Sequence, residues 1–259
     1  MTQEGESLDL LAAAQQTCWG SITKGVVGTT ALSALDVERP VVHYLPTVPD
    51  GEITIADLVH HTAGLPRLPS GMTNRLFTDP YRASVGAPLD PAVCVPLTER
   101  GSIVYSNLGY ALLGAVLDVV HGDWFTEVHR VVLGPASISS ATLSPSDAEW
   151  VAPRLFGRHI KPWAIAESPY AAAGGIWSSF EDLCRYADWT LRAGAETART
   201  VSWKREGVTT WINREVRAAG AAILNARGVT AVVHALAQTP HTADSIASSL
   251  VERELRRRG

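Results

Sequence analysis

The chain has 259 residues, 46% of them apolar and 19% charged, with a formal net charge of −4. That is enough apolar material to bury a substantial core, as one large domain or two small ones, and the acidic balance gives no electrostatic case for nucleic acid or an anionic membrane. No stretch approaches the roughly 18 apolar residues of a membrane span, and Met1-Thr2-Gln3-Glu4-Gly5-Glu6 has acids where a secretory signal has bases, so a cytoplasmic protein is expected.

A run from Ser21 to about Leu35 carries Ile22, Val26, Leu32 and Leu35 at helical spacing. Gly25 and Gly28 within it are poor helix formers and imply close packing against a neighbour. Thr54 followed by Asp57 has the form of a capping box for a short helix that Gly64 and Pro66 end. From Gly64 to about Ser102 proline and glycine recur, and a long irregular region of this kind often walls a site. Asn107 to His121 reads as an amphipathic helix closed by Gly122, and Asp123 opens another that stops at Gly134-Pro135. Ser178 and Ser179, with Glu181 and Asp182 three residues on, begin a helix running to about Arg192. Ala218 to Asn225 and Val229 to Gln238 read as strands joined by a hairpin turn. Asp244 to Arg258 is a terminal helix whose basic end, Arg253 and Arg256-Arg257-Arg258, complements its dipole. Cys18, Cys94 and Cys184 are odd in number and scattered, which fits buried structural residues better than a disulfide framework or a metal site.

The clearest chemistry lies in Gly20-Ser21-Ile22-Thr23-Lys24. Three residues is just under one helical turn, so Ser21 and Lys24 point the same way. That geometry suits a serine nucleophile whose proton is taken by a neutral lysine, with the helix N-terminus favouring negative charge on the serine oxygen. Tyr105 precedes an N-cap, with Asn107 beside it, as in a loop that projects into a cleft. A tyrosine there can relay a proton if nearby cations lower its pKa from about 10. His60 and His61 are adjacent, so on a helix they diverge by about 100° and cannot face one ion. No metal or organic cofactor is implied, and no G-x-S-x-G elbow occurs.

Taken in chain order, SITK at 21–24, ITIADLVHHTAGLP at 53–66, YSNLGY at 105–110 and AGGIWSS at 173–179 resemble the serine β-lactamase and penicillin-binding protein superfamily, in its class C-like branch of esterases and transacylases. The resemblance implies an α/β plus all-α fold. A small antiparallel sheet with flanking helices, from residues 1–35 and 193–259, would pack against an inserted helical part, 36–192, as a single β-lactamase-like unit. It implies Ser21 as the acylated nucleophile, Lys24 as its proton acceptor, Tyr105 and Asn107 as the second catalytic element, and His61 as structural. Trp177, Trp211, Asn213 and Arg214 are candidates for substrate contact.

The sequence departs from the family in two places. The family's third motif, a Lys or His followed by Thr or Ser and Gly, has Trp211-Ile212-Asn213 in its place if 218–224 is the body of that strand, with Arg214 adjacent. Missing that cation, β-lactams and other carboxylate-bearing substrates are disfavoured, and neutral esters, thioesters or amides are expected. Only 20 residues precede Ser21, so the sheet is expected to be narrow, or completed at its edge by a partner chain in an oligomer. The expected function is a cytoplasmic serine hydrolase or acyltransferase acting on a small or carrier-bound acyl substrate. The rival readings are a non-catalytic binding or scaffold relative, and a penicillin-recognising peptidase or β-lactamase.

Overall fold

In the computed structural model, the described residues are 15–72, 78–146, 150–151, 154–155, 158–192, 194–216, 219–236 and 241–259. Strand β1, Gln16–Cys18, leads into a turn and then helix α1, Ile22–Ala34. The first ten residues of α1 are all buried, so it runs through the middle of the molecule. Gly28 explains how: a Cβ there would stand 2.4 Å from Val201 and 2.8 Å from the Tyr110 hydroxyl. The close approach foreseen from the helix glycines is therefore real.

Helix α2, Ile55–His60, opens on the expected capping box: Asp57 N–H donates to Thr54 Oγ1 at 3.2 Å, and Thr54 N–H donates to Asp57 Oδ2 at 3.0 Å. It ends at His61, a non-glycine residue with φ of 62°. Helix α3, Asn107–His121, is capped by Ser106 and closed by Gly122. Helix α4, Trp124–Val128, continues into a π-helical turn over His129–Leu133 before Gly134. A two-residue strand pair, β2 at Arg154–Leu155 and β3 at Arg158–His159, precedes the short helix α5, Ala171–Gly174. Strand β4, Trp177–Ser179, pairs antiparallel with β1. Helix α6, Phe180–Leu191, starts where Ser179 accepts from Asp182 N–H.

A separate four-stranded antiparallel sheet runs in the order β5 (Lys204–Glu206), β6 (Thr209–Val216), β7 (Ala219–Ala226), β8 (Val229–Ala235). The β7–β8 hairpin turns on Arg227 and Gly228, both at positive φ (49° and 76°), the geometry that matches strand twist. Helix α7, Thr242–Arg258, covers one face through Ala243, Ala247 and Val251 against Ala222, Ala226, Ala231 and Val233. The opposite face contributes Ile212, Ala221 and Ile223 to the main core, where they join Ile22, Val26 and Val27 of α1 and Leu108, Tyr110 and Leu112 of α3.

One expectation needs correcting. Trp211-Ile212-Asn213 and Ala219–Leu224 lie in different strands: β6 and β7 are antiparallel neighbours, with Asn213 opposite Ala222. Residues 219–224 are therefore not the body of the strand that carries 211–213, and residue 218 lies outside the described residues. No described helix is long and apolar enough to cross a membrane.

Candidate active site

The β1–β4 pair fixes the nucleophile turn. Trp19 N–H donates to Ile176 O at 2.8 Å, and its indole N–H to Ser178 Oγ at 2.7 Å. Gly20 follows at φ +42°, and a Cβ there would fall 2.2 Å from Arg214 Nη1, so the left-handed turn and the arginine together demand glycine. Ser21 then sits at the start of α1, partly exposed, with Lys24 one turn on.

Lys24 is fully buried. Its Nζ lies 3.4 Å from Ser21 Oγ and donates to Asn107 Oδ1 at 2.8 Å and to the Ala173 carbonyl at 2.5 Å. Burial is the main influence on the amine and lowers its pKa, helped by the charge of Arg67 and opposed by Tyr105. Lysine buried without a carboxylate is thereby driven toward the neutral form a proton acceptor needs.

The Tyr105 hydroxyl donates to Ser21 Oγ at 2.6 Å. Burial alone would raise this phenol, but Lys24, the bond to Ser21 and Arg67 outweigh it and leave the pKa lowered. Its ring lies 4.8 Å from Lys24 Nζ, and the His61 ring packs on it at 4.8 Å. His61 also touches the Tyr110 ring at 5.1 Å and accepts from Ser106 N–H through Nδ1 at 3.2 Å. Burial, with Lys24 nearby, pushes its pKa down to about 3, so it is a neutral support for the Tyr105 loop.

That loop is clamped a second time. Ser106 Oγ donates to Pro66 O at 2.7 Å, while Asn107 and Leu108 N–H donate to Arg67 O at 3.0 and 3.2 Å. Asn107 Nδ2 donates to the hydroxyl of Tyr81 at 2.8 Å. Tyr81 is buried, packs against the rings of Trp163 and Tyr170, and has its own pKa pushed up to about 12 by burial. Tyr81, Arg67 and the Ala173 carbonyl carry no signal in the sequence. They come from an irregular loop, a residue just past a proline, and a backbone atom.

Ser21, Lys24, Tyr105 and Asn107, separated by up to 86 positions in the chain, thus form one connected cluster through the bonds just given. The Ser21 backbone N–H makes no hydrogen bond among the described residues. The candidates for substrate contact divide. Arg214 is buried against Gly20, beside the nucleophile. Asn213 lies on the other face of β6, where its side chain donates to Asp244 Oδ2 at 3.0 Å. Trp211 shares that face by strand alternation, in register with Leu224 and Ala231 beneath α7. Both therefore point away from the face that meets α1. Trp177 is buried in β4 opposite Cys18. Among the described residues no group of three or more His, Cys, Asp or Glu could hold a metal ion.

A family model described as Beta-lactamase matches residues 12–245. Among solved structures, the chain is similar to a class C β-lactamase from Rhodobacter sphaeroides with a TM-score of 0.67 and 18% identity, covering 95% of this chain and 87% of that one. It is similar to a β-lactamase/D-alanine carboxypeptidase from Yersinia pestis, with a TM-score of 0.68, 16% identity, and 95% and 86% coverage. SurE matches with a TM-score of 0.68 and 21% identity over 94% of this chain, which spans 65% of the SurE chain. No curated protein sequence matches the chain.

Proposed function

The chain belongs to the β-lactamase family, and from that premise we propose that it is a serine hydrolase or acyltransferase that forms an acyl-enzyme on Ser21. The general class, serine hydrolysis or acyl transfer, is the family's own. The finer assignment rests on one observation: Ser21 Oγ has the Lys24 amine at 3.4 Å on one side and the Tyr105 hydroxyl at 2.6 Å on the other.

Neutral Lys24 takes the Ser21 proton as Oγ forms its bond to the carbonyl carbon of an ester, thioester or amide. The developing oxyanion accepts from the unengaged Ser21 N–H. As the bond from carbonyl carbon to leaving group breaks, Tyr105 hands a proton to the departing heteroatom and is reprotonated from Lys24. Water, or an acceptor hydroxyl or amine, then attacks the acyl-enzyme and restores Ser21. Asn107 holds the Lys24 amine in place, and Tyr81 holds Asn107. Three free cysteines, Cys18, Cys94 and Cys184, support a reducing compartment such as the cytoplasm for this reaction.

A fluorophosphonate probe tests the assignment. The adduct should map to the peptide containing Ser21 and disappear in Ser21→Ala with the fold retained. An adduct on another residue would overturn Ser21 as the nucleophile, and no adduct would favour a non-catalytic relative.

A further inference from the structure

Arg67 stands at the mouth of this cluster with nothing to hold. It is exposed, and its guanidinium carbon lies 5.6 Å from the centroid of the Tyr105 ring. Its side chain makes no hydrogen bond or ion pair with any described residue. Its backbone, by contrast, is locked: the Arg67 carbonyl takes both Asn107 and Leu108 N–H, and the Pro66 carbonyl takes Ser106 Oγ. The Arg67 backbone is therefore set in fixed register with the loop that delivers Tyr105 to Ser21, and its guanidinium reaches the Tyr105 ring. It is near enough for its charge to act on Lys24, Tyr105 and Tyr81.

The acids on the surrounding segments are already engaged. Asp79 accepts from Tyr81 and Ala164 N–H, at 3.0 and 2.8 Å, and Asp57 accepts from Thr54, Thr62 and Arg100. Stacked on a ring, a guanidinium keeps its N–H edge free for a planar, two-oxygen acceptor. On a chain of net charge −4, Arg67 sets an exposed cation beside the nucleophile cluster that has no acceptor among the described residues.

We propose that Arg67 is the anion-recognition residue of this site, and that the acyl donor carries a carboxylate or phosphate within reach of it. This rests on the acyl-enzyme reading and reverses the expectation of a neutral donor: the sequence offers no cation at 211–213, but the structure supplies one at Arg67, on the segment clamped to the Tyr105 loop. The anion can belong to the acyl part or to the leaving group.

Two matched pairs distinguish these sources. Mono-(4-nitrophenyl) glutarate against 4-nitrophenyl pentanoate places the charge on the acyl part. 4-Acetoxybenzoate against its methyl ester places it on the leaving group. In at least one pair the anionic member should have the higher kcat/KM by on the order of tenfold to a hundredfold, the worth of a charge-assisted hydrogen bond. That ratio should fall at least tenfold in Arg67→Gln and partly recover in Arg67→Lys. Equal ratios in wild type and Arg67→Gln would overturn the proposal, even if both members slowed together, since Arg67 would then act only on Tyr105. A binding measurement stands apart from turnover. In Ser21→Ala protein, equilibrium dialysis with N-(4-nitrophenyl)glutaramic acid and with 4-acetamidobenzoate should show binding of one of them that weakens at least tenfold when Arg67→Gln is added. If wild type fails to turn over any donor, the acyl-enzyme reading falls while this readout still decides for or against Arg67. No binding of either acid would overturn it.

Discussion

Replacing Lys24 by arginine keeps the positive charge and removes the base. An ordinary lysine, with a pKa of about 10.4, is neutral in only about 0.04% of molecules at pH 7. Burial of Nζ raises that fraction about tenfold for each unit by which the pKa falls. A guanidinium does not deprotonate in proteins, so Lys24→Arg should lose the whole contribution of the base. Loss of a general base costs about 10²–10⁴-fold in rate, or about 2.7–5.4 kcal/mol in the barrier. Structure adds a second cost. Lys24 is fully enclosed, so the bulkier guanidinium overpacks its site by about 1–3 kcal/mol. Lys24→Met separates the two effects. It fits the volume but leaves Asn107 Oδ1 and the Ala173 carbonyl without their donor, at about 1–3 kcal/mol each, partly offset because a buried amine is no longer desolvated. The assay is kcat/KM on an activated acetate ester at pH 7, with thermal melting of each variant alongside. Both variants should fall at least a hundredfold in activity at temperatures where they remain folded. More than a tenth of wild-type activity in either would show that Lys24 is not the base.

Tyr105→Phe should also lose about 10²–10⁴-fold while melting close to wild type, because the ring that packs on His61 remains; stopped-flow acylation rates check this. Tyr81→Phe removes the acceptor for Asn107 Nδ2 in a buried setting, at about 1–3 kcal/mol, and should lower both stability and kcat with little change in KM. Burial holds both His61 and His234 at about 3, against about 6.5 in an unfolded chain. Between those values the unfolded state binds more protons, so stability is complete above about pH 6.5 and declines toward pH 3, by up to about 1.4 kcal/mol per pH unit for each histidine. Urea midpoints from pH 7 to pH 4 should show that slope, and His61→Gln should reduce it by about half, leaving the His234 share.

Much of the frame was legible because local chemistry dictates it. The Thr54–Asp57 box, the Ser106-capped helix from Asn107 to His121, the Ser179–Asp182 start of α6 and the hairpin at Arg227-Gly228 are all short-range devices. Ser21 and Lys24 were legible for the same reason, since one helical turn relates them. The face of β6 was not. It is covered on both sides, by the main core at Ile212 and by α7 at Asn213, so Trp211-Ile212-Asn213-Arg214 lacks the polar–apolar alternation that reveals parity. Reading 211–213 as the stretch beside the nucleophile was out of register: Arg214, named beside it as a candidate, is the residue that lies against Gly20. Tyr81 was invisible because its importance lies in one long-range bond to Asn107 from a loop with no periodicity. Arg67 carries no mark in the sequence that sets it apart from other loop arginines; only the backbone clamp to Asn107 and Leu108 makes it part of the site.

The central claim is that Ser21 carries the acyl group. Intact-protein mass after rapid acid quench of a reaction with an activated short-chain ester measures it directly. The account predicts a single acyl increment, mapped to the Ser21 peptide, absent in Ser21→Ala and slow to form in Lys24→Arg. An increment that persists in Ser21→Ala, or turnover of the ester by Ser21→Ala at the wild-type rate, would contradict it.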